Sequence, residues 1–181
     1  MQHMQVVDHI YQQPQFGENW FSFDQIYRSV VDIFPSGSTF VEVGSWKGKS
    51  AAFMAVEIAN AEKHIEFWCI DRWDEVPDLY STWRINMGPL KQYHHEMKSD
   101  SVKASKTFDN ECLDFVFIDT SPIYKDVRED IKAWIPKVRP GGIIAGNHYE
   151  NGYDGVVKAV DENLKGKEFD VYQNCWIHKK Q

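Results

Sequence analysis

The sequence predicts an α/β fold, a mostly parallel sheet with helices on both faces, and three features carry that prediction. Apolar runs of strand length recur at 39–43, 65–70, 113–118 and 143–146, with helical patterns between them. Such alternation implies parallel strands joined by crossover helices. The first run leads through Gly44-Ser45-Trp46-Lys47-Gly48 straight into a helix, and two later runs end in Asp71 and Asp119. Two short runs flanking Gln173-Asn174 close the chain and read as an antiparallel hairpin. At 181 residues and 43% apolar content, the chain suits about one domain with one real core.

Residues 1–19 are polar, Gln-rich and broken by Pro14 and Gly17, so they read as loosely ordered or as a lid. Residues 23–34 carry Ile26, Tyr27, Val30, Val31 and Phe34 on one helical face, with Ser22 as cap and Pro35-Ser36-Gly37 as stop. Phe40, Val41 and Val43 suit a buried parallel strand. The helix from Lys49 is apolar on nearly every side and stops near Asn60. Residues 72–93 hold Trp73, Tyr80, Trp83, Met87 and Tyr93 among charges. They read as an amphipathic helix from about Leu79 to Met87 with aromatics in the core, as a cap over a ligand crevice, or as both.

His94 to Lys98 is a short third strand, and Ser99-Asp100-Ser101 caps a helix running to about Phe108. The pair His94-His95 belongs to an exposed edge. After the strand at 113–118, Ser121 and Pro122 supply a cap and a first-turn proline. The inner stripe of that helix is Val127, Ile131, Trp134 and Val138, with Pro136 as its end. Pro140-Gly141-Gly142 is a turn before the fifth strand, whose tip carries Asn147 and His148. Tyr153-Asp154-Gly155 opens a last helix with Val156, Val157, Val160 and Leu164 inward and Gly166 as stop. The organisation expected is one domain over 1–181. In it, 1–36 form an N-terminal helix and lid, 37–181 a core, and 72–93 an aromatic cap insert.

Bulk properties narrow the partners. The net charge of −7 and the lack of a basic stripe argue against nucleic acid. Three cysteines, odd in number and far apart, argue against disulfides and zinc, and make Cys69 and Cys112 core residues of a reducing compartment. No apolar run approaches a membrane span and no signal-peptide core opens the chain, so a cytoplasmic protein is expected. Aromatics near the N-terminus offer a surface for a homo-oligomer.

The glycine turn selects among ligands. A dinucleotide fingerprint needs Gly-x-Gly-x-x-Gly, and position 46 is Trp. A phosphate-binding P-loop needs four residues between its glycines, and Gly44 to Gly48 has only three. Asp119 after an apolar strand favours that second reading, but Glu42 beside the turn repels a phosphate chain. A cationic ligand removes the conflict. Asp71 at the tip of the second strand suits a ribose diol, which donates two hydrogen bonds to a carboxylate.

Taken together, Val41 to Ser50, Ile70 to Trp73, Leu113 to Tyr124 and Gly141 to Gly146 resemble the class I S-adenosylmethionine-dependent methyltransferases. Within that class they are similar to the small branch of macrocin-type O-methyltransferases and cephalosporin-hydroxylase-like proteins. The likeness covers about Trp20 to Asn163. It implies a Rossmann-like, doubly wound sheet of seven strands with the last antiparallel. It implies S-adenosylmethionine as cofactor, S-adenosylhomocysteine as product, and a small-molecule acceptor, expected to be a hydroxyl. Glu42, Gly44, Ser45, Lys49 and Ser50 are implied to cradle the methionine part, with Trp46 and Gly48 in the same turn. Asp71 is implied to hold the ribose, with Arg72 and Trp73 beside it, Asp100 and Ser101 at the adenine, and Asp119 under the reacting methyl. This chain departs from the branch in the chemistry: Pro122 stands for a usual His, and Asn147-His148 for a usual His-Asp. Magnesium in relatives is held by acidic oxygens here, so Asp119, Asn147 and His148 make a poor metal set, and His148 becomes the candidate general base. A non-catalytic S-adenosylmethionine-binding protein and a P-loop nucleotide binder are the alternatives.

Overall fold

The computed structural model describes residues 6–17 and 20–181. Its central strands are β1 (Thr39–Val43) and β4 (Leu113–Ile118), and every residue of β4 is buried. Both faces of these strands are covered, which is why they read as unbroken apolar runs. β2 (Glu66–Asp71) and β3 (His95–Lys98) continue the sheet on one side. β5 (Val138–Gly146), β7 (Cys175–Lys179) and β6 (Asp170–Tyr172) continue it on the other. The order is β3-β2-β1-β4-β5-β7-β6, parallel through the first five positions, with β7 antiparallel to both its neighbours. The seven-stranded, Rossmann-like sheet with its last strand antiparallel is therefore the observed fold. The edge strands are short and largely exposed, which limits edge-to-edge pairing.

Helices α1 (Asp24–Ile33), α2 (Lys49–Asn60) and α3 (Leu79–Met87) cover one face of the sheet. Helices α4 (Ser101–Ser105), α5 (Tyr124–Trp134) and α6 (Asp154–Asn163) cover the other. Helix α2 is apolar nearly all round because it lies between the sheet and the helices outside it; Ala51, Ala52 and Ala55 let it approach closely. Strand order reverses between β1 and β4, and ligands of open α/β sheets bind outside strand ends at such a point. There Gly44 N–H donates to Ile70 O at 2.8 Å and Asp119 N–H donates to Val43 O at 2.8 Å, so three strand tips are laced together. No helix among the described residues is long and apolar enough to cross a membrane.

Several local expectations change. Ser22 does not cap α1; its hydroxyl donates to Asn174 Oδ1 at 3.3 Å, and Phe23 holds the cap position. Helix α5 starts at Tyr124 rather than at Pro122, because Ser121 is spent in a turn. Its Oγ accepts from Ile123 N–H at 3.2 Å and donates to Asp126 at 2.9 Å. Val138 lies in β5, not α5, and Pro140-Gly141-Gly142 forms an irregularity inside that strand where the β4 pairing shifts register. Helix α4 ends at Ser105, short of Phe108. Val157 is half-buried, and Ala159 takes its place in the buried face of α6. Cys112 is exposed, whereas Cys69 is buried. Of the N-terminal stretch, Pro14–Phe16 form a 3₁₀ turn with Phe16 buried, and the lid expectation for residues 1–5 and 18–19 lies outside the described residues.

The far end of α1 is fixed by one side chain. Lys63 Nζ donates to the carbonyls of Val31, Asp32 and Phe34 at 2.5, 2.8 and 2.9 Å, where helical carbonyls lack partners and the dipole favours a cation. Lys63→Met is expected to lower unfolding free energy by about 1–2 kcal/mol with an unchanged denaturant slope, measured by urea titration.

Candidate functional site

A cavity of about 940 Å³ opens above the carboxyl ends of β1, β2, β4 and β5, a size that takes a drug-sized ligand with room beside it. Its floor is the glycine turn. Gly44 has φ +96°, and a Cβ there would sit 2.1 Å from the Asp119 carbonyl oxygen, so only glycine lets β1 and β4 close up at the switch point. Ser45, Trp46 and Lys47 line the cavity, as do Lys49 and Ser50 at the start of α2. Gly48 does not. It caps α2 in the left-handed conformation, and a Cβ would meet Met87 at 3.0 Å and Trp83 at 3.2 Å on the far side.

Asp71 lines the cavity and organises two loops. Its Oδ2 accepts from Trp46 N–H at 2.9 Å and its Oδ1 from Trp73 N–H at 2.7 Å. A carboxylate offers about four lone-pair directions, so these bonds leave acceptor capacity unused. Burial pushes its pKa up, against these two hydrogen bonds. Arg72 lines the cavity while pairing with Asp74 at 3.3 Å. Trp73 is buried instead, donating its indole N–H to Trp46 O at 2.9 Å and stacking on Tyr80.

Glu42 also stands away from the cavity wall. It is 1% exposed and lies behind the turn. Its Oε1 accepts from the Tyr27 hydroxyl at 2.8 Å and its Oε2 from the Ser45 hydroxyl, and Ser50 adds a further hydrogen bond. Burial pushes its pKa up, and these hydroxyls oppose the rise. Ser45 thus stands between Glu42 and the cavity.

Opposite the turn, Asp100 and Ser101 line the cavity at the start of α4. Asp100 Oδ1 accepts from Lys103 N–H at 3.0 Å, and Ser101 Oγ accepts from the Trp134 indole N–H at 3.0 Å. The remaining polar cluster joins the tips of β4 and β5. Asn147 Nδ2 donates to Asp119 Oδ2 at 3.4 Å, while Asn147 Oδ1 accepts the backbone N–H of His148 at 2.8 Å. His148 Nε2 lies 3.6 Å from Asp119 Oδ1, and its ring stacks on Tyr153 at 4.2 Å between centroids. Burial pushes the Asp119 carboxyl up to about 7 and the His148 imidazole below its ordinary value. These donors do not suit magnesium: Asn147 turns N–H toward Asp119, its oxygen is already used, and His148 offers nitrogen where the ion wants oxygen. Among the described residues, no group of three or more His, Cys, Asp or Glu is placed to hold a metal.

The wall facing these strand tips comes from the N-terminal segment. Phe16, Gly17, Trp20, Phe21 and Phe23 line it. Asn86, buried on α3, donates to Gln15 O at 3.3 Å and Lys47 O at 2.8 Å, fastening this segment to the glycine turn. Of residues 72–93 only Arg72 and Glu75 reach the cavity, and Leu79, Trp83 and Met87 pack in the core. Asp130, nearly buried on α5, accepts from the Thr120 hydroxyl at 2.6 Å and was not foreseen at the cavity. The available signal was the aromatic spacing of residues 16–23, which no simple period explains.

Residues 41–149 match a family described as a methyltransferase domain, more than half of the chain. No curated protein matches. Solved structures do. One is a protein from Corynebacterium glutamicum, 13% identical, with 87% of this chain and 80% of that chain covered and a TM-score of 0.68. A TDP-rhamnose 3'-O-methyltransferase of calicheamicin biosynthesis is 13% identical, with 87% and 76% covered and a TM-score of 0.69. A methyltransferase of the mycinamycin pathway, crystallised with Mg, S-adenosylhomocysteine and mycinamycin VI, is 19% identical, with 94% and 52% covered and a TM-score of 0.60. At these identities the likeness is one of fold.

The raised carboxyl gives a stability signature. Asp119 binds its proton more tightly folded than unfolded, so its contribution to stability is full below about pH 4 and is lost as pH rises through about 7. Asp119→Asn is expected to remove that loss, unfolding at higher denaturant than wild type by about 2 kcal/mol at pH 8, within a ceiling of roughly 4 kcal/mol set by 1.36 kcal/mol per pH unit. The difference should close toward pH 4, measured by denaturant titration at each pH.

Proposed function

Since this chain belongs to the methyltransferase-domain family, we propose that it moves a methyl group from S-adenosylmethionine to a hydroxyl of a small-molecule acceptor. One observation carries the reading. Glu42, Asp71 and Asp119 stand at the tips of three adjacent strands around the glycine turn, and among the described residues none forms an ion pair with lysine or arginine. Enclosed carboxylates without a salt-bridge partner of this kind favour a ligand that brings positive charge and disfavour a phosphate chain. S-adenosylmethionine has an ammonium and a ribose diol that donate to carboxylates and a sulfonium whose charge they attract. When bound, it supplies a methyl group already activated by its sulfonium.

The protein's own part is alignment and proton removal. Ser45 and Ser50 face the methionine end of the cavity, Asp71 accepts from the ribose hydroxyls, and Asp100 and Ser101 border the base. Trp46 and Lys47 close the turn beneath the ligand, and Lys49 begins α2 beside it. The acceptor enters between the N-terminal wall and His148. His148 Nε2 takes the hydroxyl proton, and Asp119, 3.6 Å away, holds the resulting imidazolium. With its proton retained near neutral pH, Asp119 can instead donate to the acceptor; ionised, it accepts. No magnesium is assigned. Residues 1–181 work as one methyltransferase unit in which Phe16, Trp20, Phe21 and Phe23, with Arg72 and Glu75 of the 72–93 insert, enclose the ligand.

Calorimetry should show S-adenosylhomocysteine binding to wild type, a loss of at least about 100-fold in Asp71→Ala, and no binding of ATP with Mg²⁺. Once an acceptor is found, His148→Ala is expected to lower kcat by about 10²–10⁴-fold while leaving S-adenosylhomocysteine affinity unchanged. Full activity in excess chelator accompanies that result; loss of activity in chelator would refute the metal-free assignment.

A further inference from the structure

We infer that Tyr27, on helix α1 and outside the cavity, is a positioning residue for cofactor binding, its hydroxyl holding the Glu42 carboxylate as the anion behind Ser45. The inference rests on the cofactor reading above and deepens it. Tyr27 is fully buried, and its ring packs edge-on against Phe115 and Phe117 of β4 and against Phe23. Phenylalanine would fill that space. The hydroxyl is explained by its 2.8 Å hydrogen bond to Glu42 Oε1.

Glu42 needs such donors. It is buried and meets three hydroxyls, from Tyr27, Ser45 and Ser50. An ionised carboxylate is acceptor-only, and three donors converging on it match that form. Hydroxyls stabilise the charge without cancelling it, so its field reaches the cavity through Ser45. The groups facing Glu42 reinforce the need. Cys69 sits beside it in register on β2, Asp71 at the tip of β2 and Asp119 at the tip of β4 are carboxyls, and Lys49 of α2 reaches toward Gly17 O. Asp71 raises the proton affinity of Glu42, Glu42 in turn raises that of Asp119, and each lost hydroxyl raises that of Glu42 further.

Removing the Tyr27 hydroxyl should therefore neutralise Glu42 at a higher pH and weaken the hold on a ligand's ammonium below that pH. The test compares S-adenosylhomocysteine, which carries an ammonium, with adenosine, which does not, by calorimetry from pH 6 to 8.5. Relative to wild type, Tyr27→Phe is expected to lose about tenfold in S-adenosylhomocysteine affinity at pH 6, recovering to within about twofold at pH 8.5, with adenosine affinity unchanged throughout. Glu42→Gln should show the same loss at every pH, and adding Tyr27→Phe to it should change nothing more. An equal loss for both ligands at all pH values would reduce Tyr27 to packing and overturn the inference, as would wild-type behaviour of Tyr27→Phe. Wild-type protein that binds neither ligand overturns the cofactor assignment, and this inference with it.

Discussion

Negative charge gathered at the strand reversal is the constraint on which the rest of the structure depends. Glu42, Asp71 and Asp119 end up close together because β1, β2 and β4 are neighbours and each carries its carboxyl at or beside its tip. Taking carboxylates out of water costs several kcal/mol each unless they are paired or hydrogen-bonded. The protein answers with hydroxyls, backbone N–H groups and one amide. It leaves the positive charge to be supplied from outside, and the raised carboxyl of Asp119 shows how incomplete the internal answer is. Strain of this kind, stored where a ligand arrives, is typical of a binding site that trades stability for affinity.

The scaffold around that charge is built to tolerate it. Gly44 lets the main chains of β1 and β4 approach to a distance no side chain allows. Asp71 then ties the turn to the loop after β2 through Trp46 and Trp73. Asn86 ties the same turn to the N-terminal segment. Helix α1, held at one end by Lys63, delivers Tyr27 to Glu42 from the opposite face of the molecule. Asp71, Asn86, Glu42 and Tyr27 are buried, so their hydrogen bonds are worth more than they would be in water.

Much of this was legible from residue order alone. Strand tips are local features: an apolar run, then Asp71 or Asp119, needs no tertiary information to be seen. The left-handed turns at Gly44 and Gly48 are equally local, since glycine is the residue that such backbone angles favour. The direction in which Glu42 points was harder. Strand alternation puts it on the face opposite Val41 and Val43, but that this face is sealed by Tyr27 and Ser45 follows only from the packing of α1. Residues 72–93 read equally as core aromatics and as a cap, and the N-terminal stretch as a lid; Leu79, Trp83 and Met87 pack in the core, while Phe16, Trp20, Phe21 and Phe23 line the cavity with Arg72 and Glu75. Ser121 and Pro122 look like a helix start in sequence, yet Asp126 captures the serine hydroxyl and delays the helix. For Glu42 and Ser121 a long-range or competing hydrogen bond decided the outcome; for the 72–93 aromatics, core packing did.

The most direct measurement is competition binding between S-adenosylhomocysteine and its desamino analogue, which keeps the nucleoside and carboxylate and lacks only the ammonium. A site whose three strand-tip carboxyls have no lysine or arginine salt bridge should bind the desamino compound about a hundredfold more weakly, a gap that narrows as salt is raised. Equal affinity for the two would contradict a site shaped around positive charge.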